Sequence, residues 1–172
     1  MLQKNLEATI IQYLVEFASL LKKRGDLQCH AHGITTQQWL ILLHLANDPN
    51  MPFHRKRSQI APVLASELAD FFGVSRANIT NLLNVLLEKQ LIIQTEDETD
   101  RRKKTLELSE KGIHVVNAME SIRHSANGRL FSTFSQMEKE VFLKMLERCV
   151  FHISNALHEG IKTRQELEAA QS

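Results

Sequence analysis

Thr80, Asn81 and Asn84 recur at helical spacing in the run ASELADFFGVSRANITNLLNVL, residues 65–86. An Asn amide donates and accepts at once, so it can bond N6 and N7 of adenine together. A Ser or Thr hydroxyl can bond several bases or a phosphate. Ile79, Leu82, Leu83 and Leu86 form an apolar stripe on the same run. With Ile79 at the centre of the buried side, a step of about 100° per residue puts Ala77, Thr80, Asn81, Asn84 and Glu88 opposite it. Ser75 and Arg76 stand at the start, where unpaired backbone N–H groups favour a phosphate. The same pattern also fits a solvated helix face, so its surroundings must decide.

A second cluster is the cationic run Arg101-Arg102-Lys103-Lys104, which follows the acidic stretch Glu96 to Asp100. Such a run at a hairpin tip suits a narrow minor groove, where Arg meets enhanced negative potential. A third is Cys29-His30-Ala31-His32. Cys and His are the usual zinc ligands, and His44 and His114 are further candidates, yet the spacing matches no established zinc motif. No metal site is assigned. A sensor thiolate needs a lowered pKa and access. Lys22, Lys23 and Arg24 lie near Cys29 in sequence, so a redox role for Cys29 stays open, whereas Cys149 falls on an apolar stripe as a small hydrophobe.

These side chains need elements to hold them. The first segment, about residues 3–24, carries Leu6, Ile10, Tyr13, Leu14, Phe17, Leu20 and Leu21 on one helical stripe, which Gly25 and the polar stretch to Gly33 end. Thr35 or Thr36 caps a second helix through Trp39 to about Ala46. Residues 47–64 are a long connection with three prolines and the basic run His54-Arg55-Lys56-Arg57. The helix from Ala65 to Phe72, the turn Gly73-Val74 and the Ser75-capped helix to about Gln90 then form a helix-turn-helix. Leu91 to Thr95 and Lys104 to Leu108 read as the strands of a hairpin. Ser109 caps a helix with Ile113, Val116, Met119 and Ile122 on one face, and a last helix follows Ser135. The fold class is mainly α with a small β-hairpin wing. Residues 35–108 form the winged helix-turn-helix, residues 1–34 and 109–160 a helical dimerisation region, and residues 161–172 a frayed tail.

The segments TTQQWLILLHLA, SELADFFGVSRANITNLLNVLLEKQLI, DETDRR and LELSEKG resemble the MarR family of winged-helix transcription factors. The resemblance covers roughly residues 5–158. It implies a homodimer built from the N- and C-terminal helices, binding a pseudopalindromic operator in double-stranded DNA with one winged helix per half-site. Ser75, Arg76, Asn78, Thr80 and Asn81 match the recognition-helix region, and Arg101 and Arg102 match the wing arginines. Asn84 and Lys103 extend these two sets. Members are often repressors released by small aromatic or lipophilic effectors, by thiol oxidation or by metal. Phe17, Trp39, His44 and His114 are the candidate pocket residues, with core packing as their ordinary role. The 47–64 connection is longer than the resemblance implies, and its basic run is a candidate for extra phosphate contacts.

Composition bounds the rest. The chain has 172 residues, 43% hydrophobic and 24% charged, with net charge +1. That excludes a wholly disordered or fibrous chain. Two cysteines suggest a reducing cytoplasm, and no run is long and apolar enough for a membrane span. No Gly-rich phosphate loop, nucleophile elbow or HExxH is present, so neither an enzyme nor a cofactor is expected. The remaining alternative is a winged helix that binds protein instead of DNA.

Overall fold

The computed structural model describes residues 4–52, 63–96 and 104–169. The chain divides into two compact units, residues 1–122 and 123–172.

In the first unit, α1 (Leu6–Cys29) begins where the Asn5 side chain accepts the Ala8 N–H at 2.7 Å. It does not stop at Gly25 but continues to Cys29, and a 3-10 turn (His30–His32) and Gly33 at φ 63° then end it. Gly25 stands in the helix where the Thr36 side chain packs against it. A Cβ on it would lie 2.5 Å from the Thr36 hydroxyl. The glycine costs about 1 kcal/mol against alanine and allows a close helix crossing.

α2 (Thr36–Leu45) opens on a capping box. The Thr35 hydroxyl accepts the Gln38 N–H, and the Gln38 carbonyl oxygen accepts the Thr35 N–H at 2.9 Å. Gln38, Trp39, Ile41, Leu42, Leu43 and His44 are all buried on α2, so it forms the middle of the unit.

The end of the 47–64 connection is a short strand, β1 (Val63–Leu64), which sequence periodicity cannot reveal in two residues. α3 (Ala65–Phe72) and α4 (Arg76–Glu88) follow, then β2 (Ile92–Glu96) and β3 (Lys104–Leu108). The strands form an antiparallel sheet in the order β1-β3-β2. Val63 pairs with Leu106, and β2 pairs with β3 from Ile92–Leu108 to Glu96–Lys104. The core lies between helices and sheet, where Ile41, Leu42, Leu68, Ile79, Leu86, Leu91 and Leu106 are fully buried.

α5 (Glu110–Leu130) starts at Ser109, whose hydroxyl accepts the Gly112 N–H at 2.9 Å. Met119 is buried and Val116 half-buried against the core, whereas Ile113 and Ile122 stay exposed. In the second unit, Phe131, Phe134 and Phe142 cluster with centroids 5.7 to 6.4 Å apart. α6 (Gln136–Ala169) begins at a Ser135–Glu138 capping box. It runs past residue 160 to Ala169. Lys, Arg, Gln, Glu, Leu and Ala, all strong helix formers, dominate that stretch.

Candidate nucleic-acid interface

The helix-turn-helix is built from two caps of one kind. α3 ends on Gly73 at φ 61°, where the Val74 N–H returns to the Ala69 carbonyl at 3.1 Å. That six-to-one bond is a Schellman cap. Ala69 is itself buried against the shared core, as its small size requires at the crossing. The chain reverses within three residues, and the Ser75 hydroxyl accepts the Asn78 N–H at 3.2 Å to start α4.

Burial then sorts the side chains of α4. Ile79, Leu83 and Leu86 are buried and Leu82 half-buried. Ala77, Thr80, Asn81, Asn84 and Glu88 are exposed, as are Ser75, Arg76 and Asn78. The Thr80 hydroxyl donates to the Arg76 carbonyl at 2.8 Å, so it faces outward chiefly as an acceptor. The amides of Asn81 and Asn84 can therefore act as both donors and acceptors on the outward face.

The same cap recurs at the end of α4. The Leu91 N–H returns to the Leu86 carbonyl at 2.9 Å and the Gln90 N–H to the Leu87 carbonyl at 2.8 Å. Gln90 takes the left-handed position at φ 59° that glycine holds after α3. Leu91 is consumed by this cap, which is why β2 starts at Ile92 and not at Leu91. Among the described residues, the hairpin ladder runs to the Glu96–Lys104 pair. Arg101, Arg102 and Lys103 lie outside the described residues, as do Arg55, Lys56 and Arg57.

The other expected groups differ in burial. Trp39 and His44 are core residues, and the His44 ring packs on Phe71 with centroids 4.5 Å apart. Phe17 is half-buried on α1 and His114 exposed on α5. An open cleft of about 400 Å³ on α1 is lined by Ser19, Lys22, Lys23, Asp26, Leu27 and His30, none of them in the expected set. Cys29 is fully buried. Burial, and secondarily the Asp26 carboxylate, pushes its thiol up to about 11. Both effects run opposite to what a thiolate sensor needs. Cys149 is exposed on α6. Among the described residues, no group of three or more His, Cys, Asp or Glu side chains is placed to hold a metal. Among the same residues, no helix is long and apolar enough to cross a membrane.

Sequence reading passed over Gly112, which stands among the LELSEKG residues. A Cβ there would collide with the Leu91 carbonyl oxygen. The signal was a glycine within the first turn of a helix, where it has no propensity advantage.

Known proteins share this arrangement. The profile of the MarR family matches residues 32–103, from the 3-10 turn after α1 to the residue before β3. The transcriptional activatory protein BadR of Rhodopseudomonas palustris is 31% identical over 125 residues, which cover 71% of this chain and 65% of BadR. The transcriptional repressor MprA of Escherichia coli is 24% identical over 155 residues, covering 90% of this chain and 82% of MprA. Among solved structures, a MarR protein from Peptoclostridium difficile superposes with a TM-score of 0.75 at 19% identity, covering 90% of this chain and 94% of that one. The S. aureus MepR–DNA complex gives 0.71 at 23% identity, with 87% and 99% covered. Profile, relatives and fold agree with the helix-turn-helix and its hairpin, and the chain is similar to the MarR family.

Proposed function

We propose that this protein is a sequence-specific DNA-binding transcriptional repressor that acts as a homodimer and is released by a small aromatic or lipophilic effector. The observation that carries the reading is α4. Its apolar side is locked into the core, and its opposite side presents Thr80, Asn81 and Asn84 to solvent. Asn81 and Asn84 read base edges in the major groove. Ser75, Arg76 and Asn78 lie at the helix start and fix it on the phosphate backbone. Arg101, Arg102 and Lys103 supply the wing contacts. MepR, solved with DNA, lends support through its fold, and MprA supports repression.

The dimer is supported by apolar surface. Leu6, Ile10, Tyr13 and Leu20 of α1 are exposed, as are Met137, Leu143, Phe151 and Ile153 of α6. Residues 1–34 and 109–160 would cover these faces in a second copy and set two recognition helices about 34 Å apart.

The test is DNA selection with the purified full chain, followed by titration of salt. The expected result is an enriched pseudopalindrome bound by a dimer in light scattering, with affinity falling as salt rises. Equal affinity for all duplexes would reject specific regulation. Salt-insensitive or absent DNA binding would favour a protein-binding winged helix.

A further inference from the structure

The start of α5 is bolted to the end of α4 by contacts that no cap requires. The Ser109 hydroxyl donates to the Gln90 carbonyl at 2.6 Å while accepting the Gly112 N–H at 2.9 Å. The Ser109 N–H donates to the Leu91 carbonyl at 3.1 Å. Lys111 Nζ donates to the Lys89 carbonyl at 2.8 Å. Three successive carbonyls at the C-terminus of α4, Lys89, Gln90 and Leu91, are thus held by one short stretch of chain. These three carbonyls lie just past Glu88, the last residue of α4, and the start of the next helix, α5, supplies their partners.

Gly112 sets how close this stretch can come. A Cβ at that position would overlap the Leu91 carbonyl oxygen and lie 3.1 Å from the Leu91 carbonyl carbon and 3.3 Å from Leu108 Cδ2. Two of these neighbours are backbone atoms of Leu91, whose N–H is held in the cap of α4, so they cannot swing aside as a flexible side chain would. Any larger residue forces α5 away from α4.

We propose that Ser109 and Gly112 are positioning residues for DNA recognition: they fix the pose of the reading helix against α5, the helix through which the chain leaves the first unit. Neither residue touches the outward face of α4. Both act through Lys89, Gln90 and Leu91. A change in this pose moves the amides of Asn81 and Asn84 relative to the rest of the dimer and leaves their chemistry intact. The inference rests on the DNA-binding reading above.

The experiment compares wild type, Gly112→Ala, Ser109→Ala and Ser109→Thr as full chains. Binding is measured to the selected operator, to operators with half-site spacing changed by one base pair, and to a scrambled duplex. Amide hydrogen exchange is followed at residue 109. Gly112→Ala should lose roughly three- to thirtyfold on the operator, the range for coupling residues outside a ligand contact. It should keep scrambled-duplex affinity, shift its spacing preference and exchange faster at residue 109. Ser109→Ala should fall the same way to a smaller extent, with Ser109→Thr restoring it, and serves if Gly112→Ala fails to fold. A folded Ser109→Ala with wild-type operator affinity overturns the proposal, and so does an equal loss on operator and scrambled duplex. Wild type that prefers no sequence would instead overturn the DNA-binding reading itself.

Discussion

One carboxylate oxygen of Asp26 lies 2.7 Å from both the backbone N–H and the hydroxyl of Thr36, ten residues further along the chain. The last turns of α1 thereby cap the first turn of α2. Lys22 completes the group with an ion pair to Asp26 at 3.1 Å. Gly25 lies beside Asp26 and lets Thr36 approach.

This contact makes stability acid-sensitive. The Thr36 backbone N–H, then its hydroxyl, hold the Asp26 carboxyl below its ordinary 3.8. A group depressed in the folded state contributes fully above its unfolded pKa and loses that contribution as pH falls through the folded one. Urea unfolding between pH 6 and pH 3 should show wild type losing stability below about pH 4. Asp26→Asn should be weaker by about 1 kcal/mol at pH 6 and flatter toward acid. Parallel curves for the two proteins would count against the link.

The two Schellman caps predict opposite responses to glycine exchange. Gln90 sits at φ 59° without being glycine. Gln90→Gly should raise stability by about 0.5–1 kcal/mol, the relief of left-handed strain less glycine's entropy. At Gly73, φ 61°, an added Cβ meets nothing within 4 Å, so only the backbone objects. Gly73→Ala should cost about 1 kcal/mol. Chemical denaturation of both variants checks the pair, and a gain from Gly73→Ala would be incompatible with its cap.

The two thiols should differ sharply toward an alkylating agent. Cys149 is exposed and Cys29 buried. With its thiol near 11, about one Cys29 in a thousand is thiolate at pH 8, before access is counted. Mass spectrometry after brief iodoacetamide treatment should find one label, on Cys149, with Cys29 labelled only on unfolding. Fast native labelling of Cys29 would restore it as a sensor candidate.

On DNA, Asn81→Ala should cost about 1–3 kcal/mol at one base position of the operator and little elsewhere. Arg101→Ala should weaken all sequences alike and lower the salt slope by about 1. Fluorescence anisotropy over a panel of single-base operator variants separates the two. A uniform loss from Asn81→Ala would assign that residue to the phosphates.

Where periodicity and caps were long enough, the chain was readable before its structure. α3 lies at Ala65–Phe72 and β3 at Lys104–Leu108, as their patterns require. Ser75, Ser109 and Ser135 each begin a helix. The outward face of α4 followed from its apolar face alone. What stayed hidden depends on partners far along the chain. Gly25 looks like a helix end until Thr36 is seen against it. Cys29 looks activated by cations until its burial is seen. β1 is too short for any pattern and exists because β3 offers an edge.

That small strand has a consequence for how the chain tolerates length. Met51 is buried, with its N–H on the Asp48 carbonyl at 3.1 Å, and Val63 is buried and paired with Leu106. Both ends of the span between Pro52 and Val63 are thus anchored independently of what joins them. Doubling the length of an anchored loop adds only about 0.6 kcal/mol of closure entropy. Lengthening the chain between Met51 and Val63 therefore leaves both anchors in place, because each is held by its own partners, Asp48 and Leu106.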